Sequence, residues 1–260
     1  AFGLHRTLDQ SGAVLGPVIA SACMLLLGLS MRDIFWLSFI PGLVALIILL
    51  LLVQERVGKQ VGEFKILSGM RSVLKGRFRW LLFIVGIFSL GAFNFSFVLL
   101  NVKESGVLEA YIPLFYAAIN VSHTLIAIPA GLLSDKIGKE KVLIMGYLAF
   151  LVTGLLLLIS PKEIFYALLI AIAFGVYAGI VEIMQRALVP GYAESAMRGT
   201  AYGLYYLVVG ICFLVANMVV GTLWYLFGSS GAAKYSLALS AIAVTGMLLF
   251  TKLRKKETVP

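Results

Sequence analysis

Charge is scarce in this 260-residue chain: Asp, Glu, Lys and Arg together make up only 13% of it, against about a quarter in an ordinary soluble domain. That scarcity excludes a water-soluble globule. Cysteine is rarer still, and Cys23 and Cys212 both stand inside apolar runs, where a thiol acts as a small hydrophobe. No disulfide is expected. Glycine-rich phosphate loops, clusters with metal-ligand spacing and nucleophile motifs are missing as well. The chain therefore lacks the marks of an enzyme or an ATP-driven pump, and no cofactor or metal is expected. What it has in excess is hydrocarbon, with 61% hydrophobic residues and a mean hydropathy of +1.03. These values predict an all-α integral membrane protein.

A spanning helix needs ~20 apolar residues. Segments of that kind fall at 8–29, 34–53, 80–102, 110–134, 142–160, 164–185, 200–227 and 235–251, which predicts eight spans. The basic residues between them alternate in density. Arg6, the seven of loop 55–79, Lys136, Lys139, Lys141, Arg186, Arg198, Lys252, Arg254, Lys255 and Lys256 make seventeen on one side. Arg32, Lys103, Lys162 and Lys234 make four on the other. By the positive-inside rule both chain ends are cytoplasmic. The net charge of +9 is thus a topology signal, and nucleic acid is not an expected partner. Trp36, Trp80 and Trp224 fall at span ends, where amphipathic rings settle at the headgroups.

Between the fourth and fifth spans lies a short charged turn, Gly131-Leu-Leu-Ser-Asp135-Lys136-Ile-Gly138-Lys139-Glu140-Lys141. It resembles the loop signature of the major facilitator superfamily, which joins the second and third helices of each six-helix half. In the first span, Gly12-Ala-Val-Leu-Gly16-Pro17-Val-Ile-Ala20 resembles the Gly-x-x-x-Gly-Pro-x-x-Gly stretch of facilitator antiporters, with Ala20 in place of the last glycine. Small residues four apart let a neighbouring helix approach, and Pro17 frees the Ala13 carbonyl and bends the rod.

An internal repeat supports the resemblance. Ala1-Phe2-Gly3-Leu4 and Ala201-Tyr202-Gly203-Leu204 open the first and seventh spans, and Gly28 and Gly228 close them at the same offset. Leu37, Val44 and Leu49 likewise meet Leu237, Val244 and Leu249. Parallel repeats of this type build the two facilitator halves. Residues 1–54 are then the last two helices of an N-terminal half, 55–79 a cytoplasmic linker and 80–256 a complete C-terminal half of a 6+6 fold. The chain begins at Ala1 within what reads as a span, so a fragment is expected, with four helices and roughly 120 residues upstream. In the linker, Phe64, Leu67, Met70 or Arg71, Leu74 and Phe78 recur at helical spacing among basic residues, as in a helix lying on an anionic leaflet.

Polar groups inside spans are expensive, about 2.5–3.5 kcal/mol for a central charge, and so are functional candidates. They are Asp9, Asn94, Asn120, His123, Glu182 and Asn217. The resemblance implies that the third and sixth spans line a central cavity, with the fourth and seventh alongside. Asn94, Tyr177, Tyr116, Asn120 and His123 are the substrate-surface candidates; Tyr116, Asn120 and His123 or Thr124 share one helical face. Glu182 and Arg186, four apart, can pair, and they resemble the charge pair that the family sets beside the loop Asp. Arg6 and Asp9 form a second charge cluster with His5. The resemblance implies secondary transport of a small solute across a plasma (bacterial inner) membrane. Proton-coupled efflux is the leading expectation, uptake by symport or facilitation the alternative, and a non-transporting sensor a third reading.

Overall fold

The computed structural model describes residues 2–53, 70, 73–74, 76–193 and 195–257, with the backbone alone for 2–7, 196 and 254–257. Helices dominate, and no strand occurs among the described residues. They are α1 (Phe2–Leu27), α2 (Met31–Leu52), α3 (Gly76–Gly91), α4 (Phe95–Glu104), α5 (Ile112–Ile137), α6 (Lys139–Ile159), α7 (Ile164–Leu188) and α8 (Arg198–Glu257). In a bilayer only helices and closed barrels satisfy every backbone group, so long apolar runs become rods. Seven stretches among the described residues are long and apolar enough to span, the last being Arg198–Leu253.

That last stretch holds both the seventh and eighth predicted spans. Gly228 interrupts it with φ 69°, ψ −172°, a left-handed φ that favours glycine. Packing shows that the chain reverses there. Along the first limb, Asn217 meets Asn94 and Trp224 meets Glu104, so positions rise together with α3 and α4. Along the second limb, Leu239 lies against Gly91 and Gly246 against Ile84, so they run oppositely. Gly28, between α1 and α2, has φ 67°. The offset of 200 found in the sequence thus recurs as a shared left-handed φ.

The third predicted span is not one helix. It breaks at 92–94 into α3 and α4. Asn94 takes an extended conformation (φ −77°, ψ 154°) and caps α4, its Oδ1 accepting from the Ser96 N–H and from Ser96 Oγ, each at 2.9 Å. The Asn94 N–H donates to Asn217 Oδ1 at 3.0 Å. A side chain 123 residues away therefore satisfies the group that the break leaves open.

α3 packs against both limbs of α8, α7 lies between α5 and α6, and α1 lies against α5. α2 buries none of its residues. The core is aromatic: Phe88 stacks on Tyr147 at 3.7 Å between centroids, Phe150 and Tyr177 pack on Phe88, and Phe174 packs on Tyr177. Most of the expected linker helix, including Phe64 and Leu67, lies outside the described residues; Met70 and Phe78 pack on the core and Leu74 is exposed.

Candidate functional site

α5 and α7 run side by side because α7 carries no side chain at two positions a turn apart. A Cβ on Gly175 would collide with the Ile119 carbonyl oxygen, and one on Gly179 would lie 2.5 Å from that of His123. This Gly-x-x-x-Gly face lets the two backbones approach as small residues do in membranes. The approach brings His123 Nε2 to 2.9 Å from Glu182 Oε2. The second carboxylate oxygen, Oε1, pairs with Arg186 Nη2 at 2.7 Å on the next turn of α7. Glu182 is thus shared by an imidazole and a guanidinium. The His123 side chain is almost fully enclosed, at 11% exposure, while that of Glu182 is 39% exposed.

These groups face a cavity of about 260 Å³ between α1 and the α5–α7 pair. Asp9, Gln10 and Ala13 line it from α1, and Tyr116, Asn120, His123 and Glu182 from the other side. Phe95 closes one wall by packing on Tyr116 at 4.7 Å between centroids. Thr124 Oγ1 lies 3.0 Å from Gln10 Oε1, tying α5 to α1. Asn120 turns its amide onto its own helix, Nδ2 donating to the Tyr116 carbonyl at 2.9 Å. Among the described residues no three His, Cys, Asp or Glu side chains converge as a metal ion requires.

Two sequence candidates stand elsewhere. Asn94 serves the helix break, and Tyr177 points into the aromatic core with only 8% exposure. α7 places Ala178, not Tyr177, on the cavity side. The residues that sequence reasoning passed over are Gly175 and Gly179, although their four-residue spacing was readable.

In the loop motif, Gly138 has φ 97° and ends α5, its N–H donating to the Ser134 carbonyl at 3.0 Å. Lys139 Nζ donates to the Ala187 carbonyl at 3.1 Å, placing a cation where the α7 dipole is negative. Tyr202 holds the adjacent Arg186 carbonyl at 2.6 Å. Asp135 and Lys136 are exposed, and no ion pair joins Asp135 to Arg186. The side chain of Arg6 lies outside the described residues.

Among the described residues no neighbour comes within 4 Å of a Cβ placed on Gly12, Gly16 or Gly131. Pro17 lies within α1, which continues through it without a break. The buried described residues of α1, Ser21 and Met24, sit toward its far end, where Ser21 Oγ donates to the Ala110 carbonyl at 2.6 Å. Leu8, Asp9 and Gly12, nearer the charged loop, are exposed.

A family model described as the Major Facilitator Superfamily matches residues 1–216 and 103–260. An uncharacterized MFS-type transporter of Methanocaldococcus jannaschii is 30% identical over 244 residues, covering 88% of this chain and 60% of the relative. An uncharacterized protein of Mycobacterium tuberculosis is 26% identical over 231 residues, covering 86% and 56%. The chain therefore spans little more than half the length of these relatives. With matches that run from end to end, and with helices of membrane-spanning length, the chain belongs to the Major Facilitator Superfamily, a family of membrane transporters.

Proposed function

We propose that this chain is part of a secondary active transporter that moves a small solute by alternating access and couples the movement to protons, with efflux as its direction. The observation that carries the reading is Glu182, shared between His123 and Arg186 at the wall of a cavity bounded on its other side by α1. By the 6+6 assignment, α1 belongs to one half and α5 and α7 to the other, and facilitator-type transporters bind solutes between repeats.

Histidine is the side chain that ordinarily changes charge between pH 5 and 8. A protonated His123 binds the Glu182 carboxylate as an ion pair; a neutral one offers only a hydrogen bond and leaves the carboxylate to Arg186 and to the cavity. A solute group that competes for Glu182 is then linked to the proton on His123, and linkage of this kind is reciprocal. Efflux rests on the resemblance of Gly12, Gly16 and Pro17 to the antiporter stretch. α1 is tied to α5 at Gln10 and buried at Ser21 and Met24, while Asp9 and Gly12 are exposed, which suits an entrance on the charged-loop side. The same reading places the protein in a plasma membrane of the bacterial inner type, with both chain ends cytoplasmic.

The test is a full-length protein in proteoliposomes carrying a pH-sensitive dye, screened with solutes under an imposed proton gradient. Solute-evoked proton movement opposite to solute movement is the expected result, and Glu182→Gln and His123→Ala should abolish it while the protein still inserts. Proton movement in the solute's direction would replace antiport by symport. Solute flux with no proton movement would refute coupling, and binding without flux would favour a sensor.

A further inference from the structure

A second cavity, about 590 Å³, lies between the first turns of α3 and the last turns of α8. That volume is within the ~300–1,000 Å³ typical of small-molecule sites. Its floor forms where Gly246 approaches Ile84: a Cβ at Gly246 would lie 3.4 Å from Ile84 Cγ1. The helices meet there and leave the slot above them unfilled. Trp80 and Phe250 flank it, so nearly all of its lining is hydrocarbon or aromatic.

Among the described residues, charge enters the lining through Arg77 and Arg79. Arg77 shapes one end, its Nη2 donating to the Phe250 carbonyl at 3.2 Å and its guanidinium lying 5.2 Å from the Phe250 ring centre. Arg79 is exposed, rests 5.6 Å from the Trp80 ring centre, and has no carboxylate partner among the described residues. Both arginines stand in the first turn of α3, where the helix dipole already disfavours a cation and favours an anion. A slot that is apolar along its length and whose charges among the described residues are cationic and gathered at its mouth complements a molecule with long hydrocarbon tails and an anionic head. The mouth also lies at the end of the bundle where the basic loop 55–79 enters α3, and anionic lipid attracts such segments.

We propose that this groove binds an anionic glycerophospholipid of the surrounding bilayer, with the acyl chains along Ile84 and Gly246 and the phosphate at Arg79. Bound there, the lipid staples α3 to the second limb of α8. The lipid site is independent of the direction or coupling of transport.

Native mass spectrometry of the full-length protein in detergent tests it, with phosphatidylglycerol and phosphatidylcholine of identical acyl chains as probes. Wild type is expected to bind phosphatidylglycerol at least tenfold more tightly. Arg79→Gln, a change at an exposed position, should erase that preference and leave phosphatidylcholine binding as it was. Ile242→Trp, which fills the groove from a position 54% exposed, should weaken both lipids. Equal binding of the two lipids by wild type, or a preference that survives Arg79→Gln, would overturn the proposal. Displacement of the lipid by millimolar inorganic phosphate would point to a free-anion site and overturn it equally.

Discussion

Replacing Gly179 with alanine adds one methyl group at the place where α5 and α7 come closest beside the candidate site. That carbon would sit 2.5 Å from the His123 carbonyl oxygen and 2.5 Å from Ile126 Cγ2. Ile126 can change rotamer, but a helical carbonyl cannot. Ordinary contact needs ~3.5 Å, so the backbones must part locally by about 1 Å. Transferred to the facing side chains, that shift opens the 2.9 Å His123–Glu182 contact to about 3.9 Å, beyond hydrogen-bonding range. Overpacking of this kind costs ~1–3 kcal/mol. Losing a charge-assisted hydrogen bond adds ~1.5–3 kcal/mol, taken at its lower end because Glu182 is 39% exposed. Gly179→Ala should therefore lower stability by about 2.5–4.5 kcal/mol and also alter the pH profile of solute-evoked proton movement. Thermal denaturation in detergent reads the first effect and proteoliposome flux the second. The decisive arm is a double-mutant cycle: in a His123→Gln background, Gly179→Ala should still destabilise but should no longer move the pH profile. An unchanged pH profile in the single mutant, or the same shift in both backgrounds, would refute the claim that the glycine acts through the His123–Glu182 distance.

Asn217→Leu strands the Asn94 N–H at the α3–α4 break; a loss of ~1–3 kcal/mol is expected in thermal denaturation, and unchanged stability would mean that the break has another partner. Asp135 is exposed in the last turn of α5; on the expectation that its carboxylate meets the first turn of α1 when the loop-side entrance is closed, a contact of ~1–2 kcal/mol and a roughly 5- to 30-fold bias, Asp135→Asn should insert normally yet favour the inward-open state and lose flux. Spin-label distances across the loop-side entrance measure it, and identical distributions with normal flux would make Asp135 a solvated charge. Cysteines at Gly106, Lys162 and Ser230 should react with an impermeant thiol reagent from outside and those at Ser68, Lys139 and Glu194 should not; the reverse pattern would invert the orientation.

Membrane class, span positions and the reversal at Gly228 were all legible before any coordinates, because each follows from a local property. Hydrocarbon cannot hydrogen-bond a backbone, so an apolar run of sufficient length has to become a helix. A glycine between two such runs, repeated at an offset of 200, marks a turn that prefers a left-handed φ. His123 and Glu182 were visible singly for a similar reason: polar atoms in an apolar run cost energy and stand out. Their partnership was not visible, because 59 residues separate them and only the approach of α5 to α7 at Gly175 and Gly179 decides that they meet. Asn94 shows the same limit from the other side. Nothing in the apolar run 80–102 announces a break, since the group it exposes is satisfied by Asn217 from a distant helix. Tyr177 and Ala178 are neighbours in the chain, and one faces the core while the other faces the cavity. Local chemistry set which segments are helices and which atoms are costly; packing between helices set which of those atoms share a site, because contact across a bundle depends on rotation and closeness that no single segment encodes.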